Sequence, residues 1–132
     1  MSCLFNSLAP AVGLHPEVLR KALAAYLKTD PQLLDNIKAT DIIKWTEGKN
    51  LNDYAQRMSQ PGVWGGAIEI RAFCELFEMD VCIHVLYTGQ QFSVETSKEP
   101  RKTVHISYTG NHFESMYISF NNTQSSPFAL PA

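Results

Sequence analysis

No stretch of this sequence approaches the roughly 20 consecutive apolar residues that a membrane-spanning helix needs. Its first residues, Met1 to Asn6, lack the basic segment and long apolar region of a secretory signal. An excess of positive charge is missing as well. Eleven Lys and Arg stand against 13 Asp and Glu, for a net charge of −2. A phosphate-binding surface needs a basic patch to displace counterions, so this balance argues against nucleic acid as the main partner. Cysteine is scarce: Cys3, Cys74 and Cys82 are odd in number and too scattered for a disulfide framework. With no Cys-x-x-Cys pair and no His-x-x-x-His, the spacing offers no metal ligand set, and no cofactor is implied. What is present is an ordinary globular composition, 45% hydrophobic and 18% charged over 132 residues. That is enough for one domain with one core, expected to be soluble, non-secreted and cytoplasmic.

The two halves of the chain differ in pattern. After His15-Pro16, the apolar positions Val18, Leu19, Ala22, Leu23, Tyr26 and Leu27 recur at helical spacing, with Pro16 suited to the first turn. Asp30-Pro31 repeats that start signal and predicts a further helix through Leu33, Leu34 and Ile37. Asp41 to Trp45 predicts a short helix closed near Gly48, and Leu51 to Met58 another, broken by Ser59-Gln60-Pro61-Gly62. Trp64-Gly65-Gly66 precedes a run from Ala67 to Met79 that places Ile70, Phe73, Cys74 and Phe77 on one helical face. Strands are predicted over Val81 to Tyr87, Gln91 to Thr96, Thr103 to Tyr108 and Phe113 to Phe120. The charged stretch Lys98 to Lys102 reads as a solvated loop. The expected fold class is therefore α+β, with an N-terminal helical half packed on a small, mostly antiparallel sheet. The domain is expected to span residues 1–120, and 121–132 to form a polar, Pro-rich tail or linker.

Few residues could carry chemistry. Cys3 stands where a helix should begin, with Leu4, Phe5 and Leu8 forming an apolar face behind it. A thiol there feels the positive end of the helix dipole, which favours the thiolate. The free N–H groups of the same turn could hold an oxyanion. Composition alone does not lift this above simple packing of a small apolar side chain. A nucleophilic thiol needs a base. His15 reads as a surface or capping residue, and His84 and His105 as structural imidazoles inside strands. His112 instead follows the turn Thr109-Gly110-Asn111 and opens a strand, where a scaffold presents functional groups. Glu114, two residues on, projects to the same side and can orient the imidazole, with Asn111 as the second choice for that role.

Several of these pieces occur in an order that resembles the ovarian-tumour (OTU) domain cysteine proteases. They are Cys3-Leu4-Phe5, Trp64-Gly65 with Glu69-Ile70-x-Ala72-Phe73, the strand Val81-x-Ile83-x-Val85, and Asn111-His112-Phe113. The resemblance covers residues 3 to about 118. It implies a papain-related fold and thiol proteolysis at the ubiquitin C-terminus, with Cys3 as nucleophile and His112 as general base. Glu114, or Asn111, would hold the imidazole. The backbone N–H of Cys3, with Ser2 beside it, would supply part of the oxyanion hole. Trp64 and Gly65 would lie near the site in a structural role, Trp64 by packing and the glycines by permitting a tight turn. Glu69 reads as a local cap. The implied partner is ubiquitin or a ubiquitin-like modifier.

The sequence departs from the family pattern at two points. Members carry an Asp-Gly-x stretch before the Cys, where only Met1 and Ser2 stand here, and Glu114 occupies the usual Asp or Asn position. A lost oxyanion donor can cost roughly 2.7–4 kcal/mol in the transition state. The alternative expectation is thus a catalytically impaired pseudo-protease that binds ubiquitin without cleaving it. The small size and the linker-like tail also resemble OTU domains embedded in viral replicase polyproteins. On that reading the chain would act in the host cytoplasm and could process its own polyprotein.

Overall fold

Pro16 opens the longest helix of the computed structural model, which describes residues 3–116. His15 caps this helix as its Nδ1 accepts from the Glu17 N–H at 3.2 Å, and the helix runs Pro16–Lys28 as α2. Its buried face carries Leu19, Leu23 and Leu27. Before it lies α1, Cys3–Leu8, whose Leu4, Phe5 and Leu8 enter the same core, followed by a single 3-10 turn. α3, Ala39–Glu47, stops at Gly48, whose φ of 66° is the left-handed conformation that ends a helix without strain only in glycine. α4, Leu51–Met58, is capped by Asn50, whose Oδ1 accepts from the Asp53 N–H at 2.8 Å.

One element is a correction. Asp30-Pro31 does not start a helix. The chain instead forms an antiparallel hairpin of β1, Gln32–Leu34, and β2, Ile37–Lys38. Asp30 and Asn36 both adopt positive φ, 58° and 60°, which Asp and Asn tolerate better than other side chains and which a helix cannot contain. The Asp30 carboxylate is spent elsewhere, accepting from the Thr40 N–H in the first turn of α3 at 2.9 Å. Within the hairpin only Leu33 is buried.

α5, Ala67–Phe77, ends at Glu78, which turns left-handed at φ 56° and so stops the helix short of Met79. The sheet follows: β3, Asp80–Val85; β4, Gln90–Val94; β5, Thr103–Tyr108; and β6, Phe113–Ser115. Leu86 and Tyr87 belong to the turn after β3, and β4 closes two residues before Thr96. Of the longer strand expected over 113–120, residues 117–120 lie outside the described residues, as does the 121–132 tail.

The strand order is β4-β3-β5-β6. The two outer pairings are antiparallel, but the central pair β3–β5 is parallel, with Val81 opposite Val104 and Cys82 opposite His105. Because alternate residues face opposite sides, Val81, Val104 and Ile106 join the core with Leu4, Phe5, Leu8 and Phe73. Cys82, His84, His105 and Ser107 share the other face. Among the described residues, no helix is long and apolar enough to cross a membrane.

Candidate active site

Cys3 is the first residue of α1, and α1 lies against β6 and β5. The contact with β6 is pinned by Ser115, whose Oγ donates to the Ser7 carbonyl at 2.8 Å. His112 immediately precedes β6, so the opening of β6 and α1 are neighbours although 109 positions separate Cys3 from His112 in sequence. The turn that presents His112 is closed by the Thr109 N–H donating to the His112 carbonyl at 3.0 Å. Gly110 takes φ 109°, a conformation that demands glycine. Phe113 stacks on Tyr108 with ring centroids 4.7 Å apart, fixing the start of the strand.

Glu114 and His112 are brought together: Oε2 lies 3.3 Å from Nε2, with side chains 66% and 50% exposed. Asn111 is directed elsewhere, its Oδ1 accepting from the Thr109 hydroxyl at 3.3 Å. Between the two orienting candidates, the carboxylate is the group beside the imidazole. Ser2 lies outside the described residues.

The other two thiols are buried as well. Cys74 is fully buried and donates to the Val94 carbonyl, and burial pushes its thiol up to about 12. Burial also pushes the Cys82 thiol up, and its Sγ lies 3.8 Å from Gln91 Oε1. Exposure alone does not separate the candidates, since Cys3 and Cys82 are both 6% exposed.

Gly65 lies directly beneath α1. A Cβ at that position would stand 2.9 Å from a Leu4 methyl and 3.0 Å from the Phe5 ring, so only glycine lets the two segments approach this closely. Trp64 differs from expectation. It is 55% exposed and lines an open cleft of about 650 Å³ together with Ile42, Tyr54, Glu69 and Arg71, instead of packing inside. Glu69 is the cap the sequence suggested. Its Oε1 accepts from the Gly66 N–H at 2.7 Å, and its Oε2 accepts from the Tyr54 hydroxyl at 2.6 Å. Burial raises the Glu69 carboxyl above its ordinary range, and burial also raises Tyr54, keeping it a donor. Arg20 is wholly buried beneath this region. It donates to the carbonyls of Met58 and Val63 at 3.0 and 2.9 Å, and its guanidinium lies 4.3 Å from the Phe5 ring centroid.

A second cluster escaped the sequence reading. Cys82, His84 and His105 place three ligand-type atoms within 4.8 Å of one another, and His84 Nε2 lies 2.9 Å from His105 Nδ1. Cys82-x-His84 hints at it, but His105 joins only through the parallel β3–β5 register.

This arrangement, a thiol opening a helix packed on a strand led by a histidine, falls in a known class. The OTU-like cysteine protease family matches residues 2–124, and the chain belongs to that family. It is similar to the putative ubiquitin thioesterase otu1 of Schizosaccharomyces pombe, 28% identical over 86% of this chain and 32% of that protein. It is also similar to ubiquitin thioesterase OTU1 of Mus musculus, 26% identical over 98% of this chain and 37% of that protein. The chain thus spans about a third of the length of these relatives. Among solved structures, an OTU domain in complex with ubiquitin superposes with a TM-score of 0.68 at 21% identity, covering 86% of this chain and 62% of that one. An OTU deubiquitinase from Wolbachia pipientis bound to ubiquitin gives 0.57 at 18%, covering 86% and 88%.

Proposed function

We propose that the chain is a deubiquitinating thiol protease that hydrolyses the bond following the ubiquitin C-terminus. The observation that carries this reading is the placement of His112, with Glu114 3.3 Å from its Nε2, at the head of the strand on which the Cys3 helix packs. With Glu114 beside Nε2, Nδ1 is the nitrogen left to take the thiol proton. The Cys3 thiolate attacks the ubiquitin C-terminal carbonyl, forming a C–S bond and a tetrahedral oxyanion held by backbone N–H groups at the start of α1. Collapse breaks the C–N bond, and the amine leaves with the proton from His112. Water, deprotonated by His112, then hydrolyses the thioester and restores the thiol.

The matched relatives are named ubiquitin thioesterases and come from yeast and mouse, which puts a ubiquitin conjugate ahead of a polyprotein junction as substrate. Three free thiols suit a reducing compartment such as the cytoplasm. The test is turnover of a ubiquitin C-terminal fluorogenic amide. Cys3→Ala should abolish turnover, and His112→Ala should lower kcat by about 10²–10⁴-fold. Unchanged turnover in Cys3→Ala would overturn the assignment.

A further inference from the structure

Cys82, His84 and His105 lie on the sheet face opposite the one that joins the core, and the proposed hydrolysis does not use them. Cys82 and His84 are two residues apart on β3 and so share a face, and His105 stands opposite Cys82 on β5. The surrounding positions of this face are also polar: Ser107 opposite His84 on β5, and Gln91 and Ser93 opposite His84 and Cys82 on β4. A covered sheet face would carry apolar β-branched residues here, as the inner face does with Val81, Val104 and Ile106.

We propose that Cys82, His84 and His105 form a binding site for a zinc-type divalent cation that clamps β3 to β5. One thiolate and two imidazoles are a soft, nitrogen- and sulfur-rich set of the kind zinc selects over magnesium or calcium. The geometry is close to a tetrahedral site. Zinc bonds of about 2.0–2.1 Å to nitrogen and 2.3 Å to sulfur put the ligand atoms about 3.3–3.6 Å apart. The two ring nitrogens stand 2.9 Å apart, and all three ligand atoms lie within 4.8 Å of one another. The rings must therefore separate by about 0.4 Å and the thiol move in by about 1 Å, shifts that side-chain torsions supply with the strands held still. Binding releases the thiol proton to solvent, while the proton between the two imidazoles shifts to the other nitrogen of its own ring, so that both rings ligate as neutral imidazoles. The fourth position is left to water or to Gln91 Oε1, already 3.8 Å from the Cys82 sulfur.

The test uses the full chain carrying Cys3→Ala, so that Cys3 and His112 cannot supply a competing site, with Co²⁺ as a spectroscopic probe and Zn²⁺ as competitor. The expected result is one equivalent of Co²⁺ with a thiolate-to-cobalt charge-transfer band, displaced by Zn²⁺. That band should vanish on adding Cys82→Ser and persist on adding Cys74→Ala. His105→Gln should weaken Zn²⁺ binding by more than the roughly 10–100-fold that loss of a mere supporting contact costs. Absence of the band, or its survival in Cys82→Ser, would overturn the site. Should Cys82→Ser not fold, the histidine ring resonances of the Cys3→Ala chain decide. Zn²⁺ shifting those of His84 and His105 supports the site, and shifts confined to His15 and His112 refute it.

Discussion

Gly65→Ala tests how tightly the segment before α5 holds the helix that begins with Cys3. The added Cβ would meet Leu4 at 2.9 Å and Phe5 at 3.0 Å, where ordinary contact begins near 3.4 Å. Leu4 and Phe5 are 1% and 0% exposed, so neither can swing aside into solvent. Phe5 is further held by the Arg20 guanidinium on its face. Relief must come from α1 moving as a body by about half an ångström. Overpacking of this kind costs about 1–3 kcal/mol. An unfolding entropy of about 2.1 cal/mol/K per residue converts that cost to a fall of about 4–11 °C in Tm for a 132-residue chain. Displacing a nucleophile by up to about 1 Å can cost 10²-fold, so kcat should fall by about 10–100-fold with KM little changed. Gly66→Ala is the matched control, because a Cβ there meets nothing within 4 Å. Scanning calorimetry and hydrolysis of a ubiquitin amide read both quantities. A Gly65→Ala protein with wild-type Tm and wild-type kcat would refute the claim that this approach positions α1.

Other perturbations follow from the same contacts. Burial raises the Glu69 carboxyl, so the folded state holds that proton more tightly than the unfolded one. The contribution is full below the unfolded value near 4.5 and is lost as pH rises through the folded value. Glu69→Gln, which can still accept from the Gly66 N–H, should therefore flatten the fall in stability with rising pH, and parallel wild-type and mutant curves in urea melts would contradict this. Arg20→Leu removes the donor to two carbonyls and should cost about 2–4 kcal/mol in chemical denaturation; a loss under about 1 kcal/mol would show those bonds to be replaceable. Glu114→Gln perturbs a pair whose members are each at least half exposed and should lower kcat less than about fivefold, far short of His112→Ala. A comparable loss in both variants would give Glu114 a larger share of the chemistry.

Local signals were readable where a helix carries its own punctuation. His15-Pro16 marks the start of α2, and Gly48 the end of α3, through groups adjacent in sequence. Asp30-Pro31 misled because the same residue types serve a cap and a left-handed turn. Which role Asp30 takes depends on Thr40, ten residues on. The candidate site was legible as far as residue types and spacing go. The hydrogen bond that turns Asn111 toward Thr109, leaving Glu114 as the group beside His112, is one that no spacing reveals. Trp64 read as packed because tryptophan is usually well buried, yet here it faces an open cleft. The Cys82-His84-His105 cluster required the parallel register of β3 and β5, a long-range pairing with no local signature.

Whether Cys3 is the nucleophile and His112 its base is read out by ubiquitin bearing a C-terminal electrophile. Adducts are read by intact mass and peptide mapping. One adduct is expected, on Cys3, absent in Cys3→Ala and slowed in His112→Ala, with Cys74 and Cys82 unlabelled. Labelling of Cys82 or Cys74 in its place, or ubiquitin that binds with no adduct at all, would contradict it.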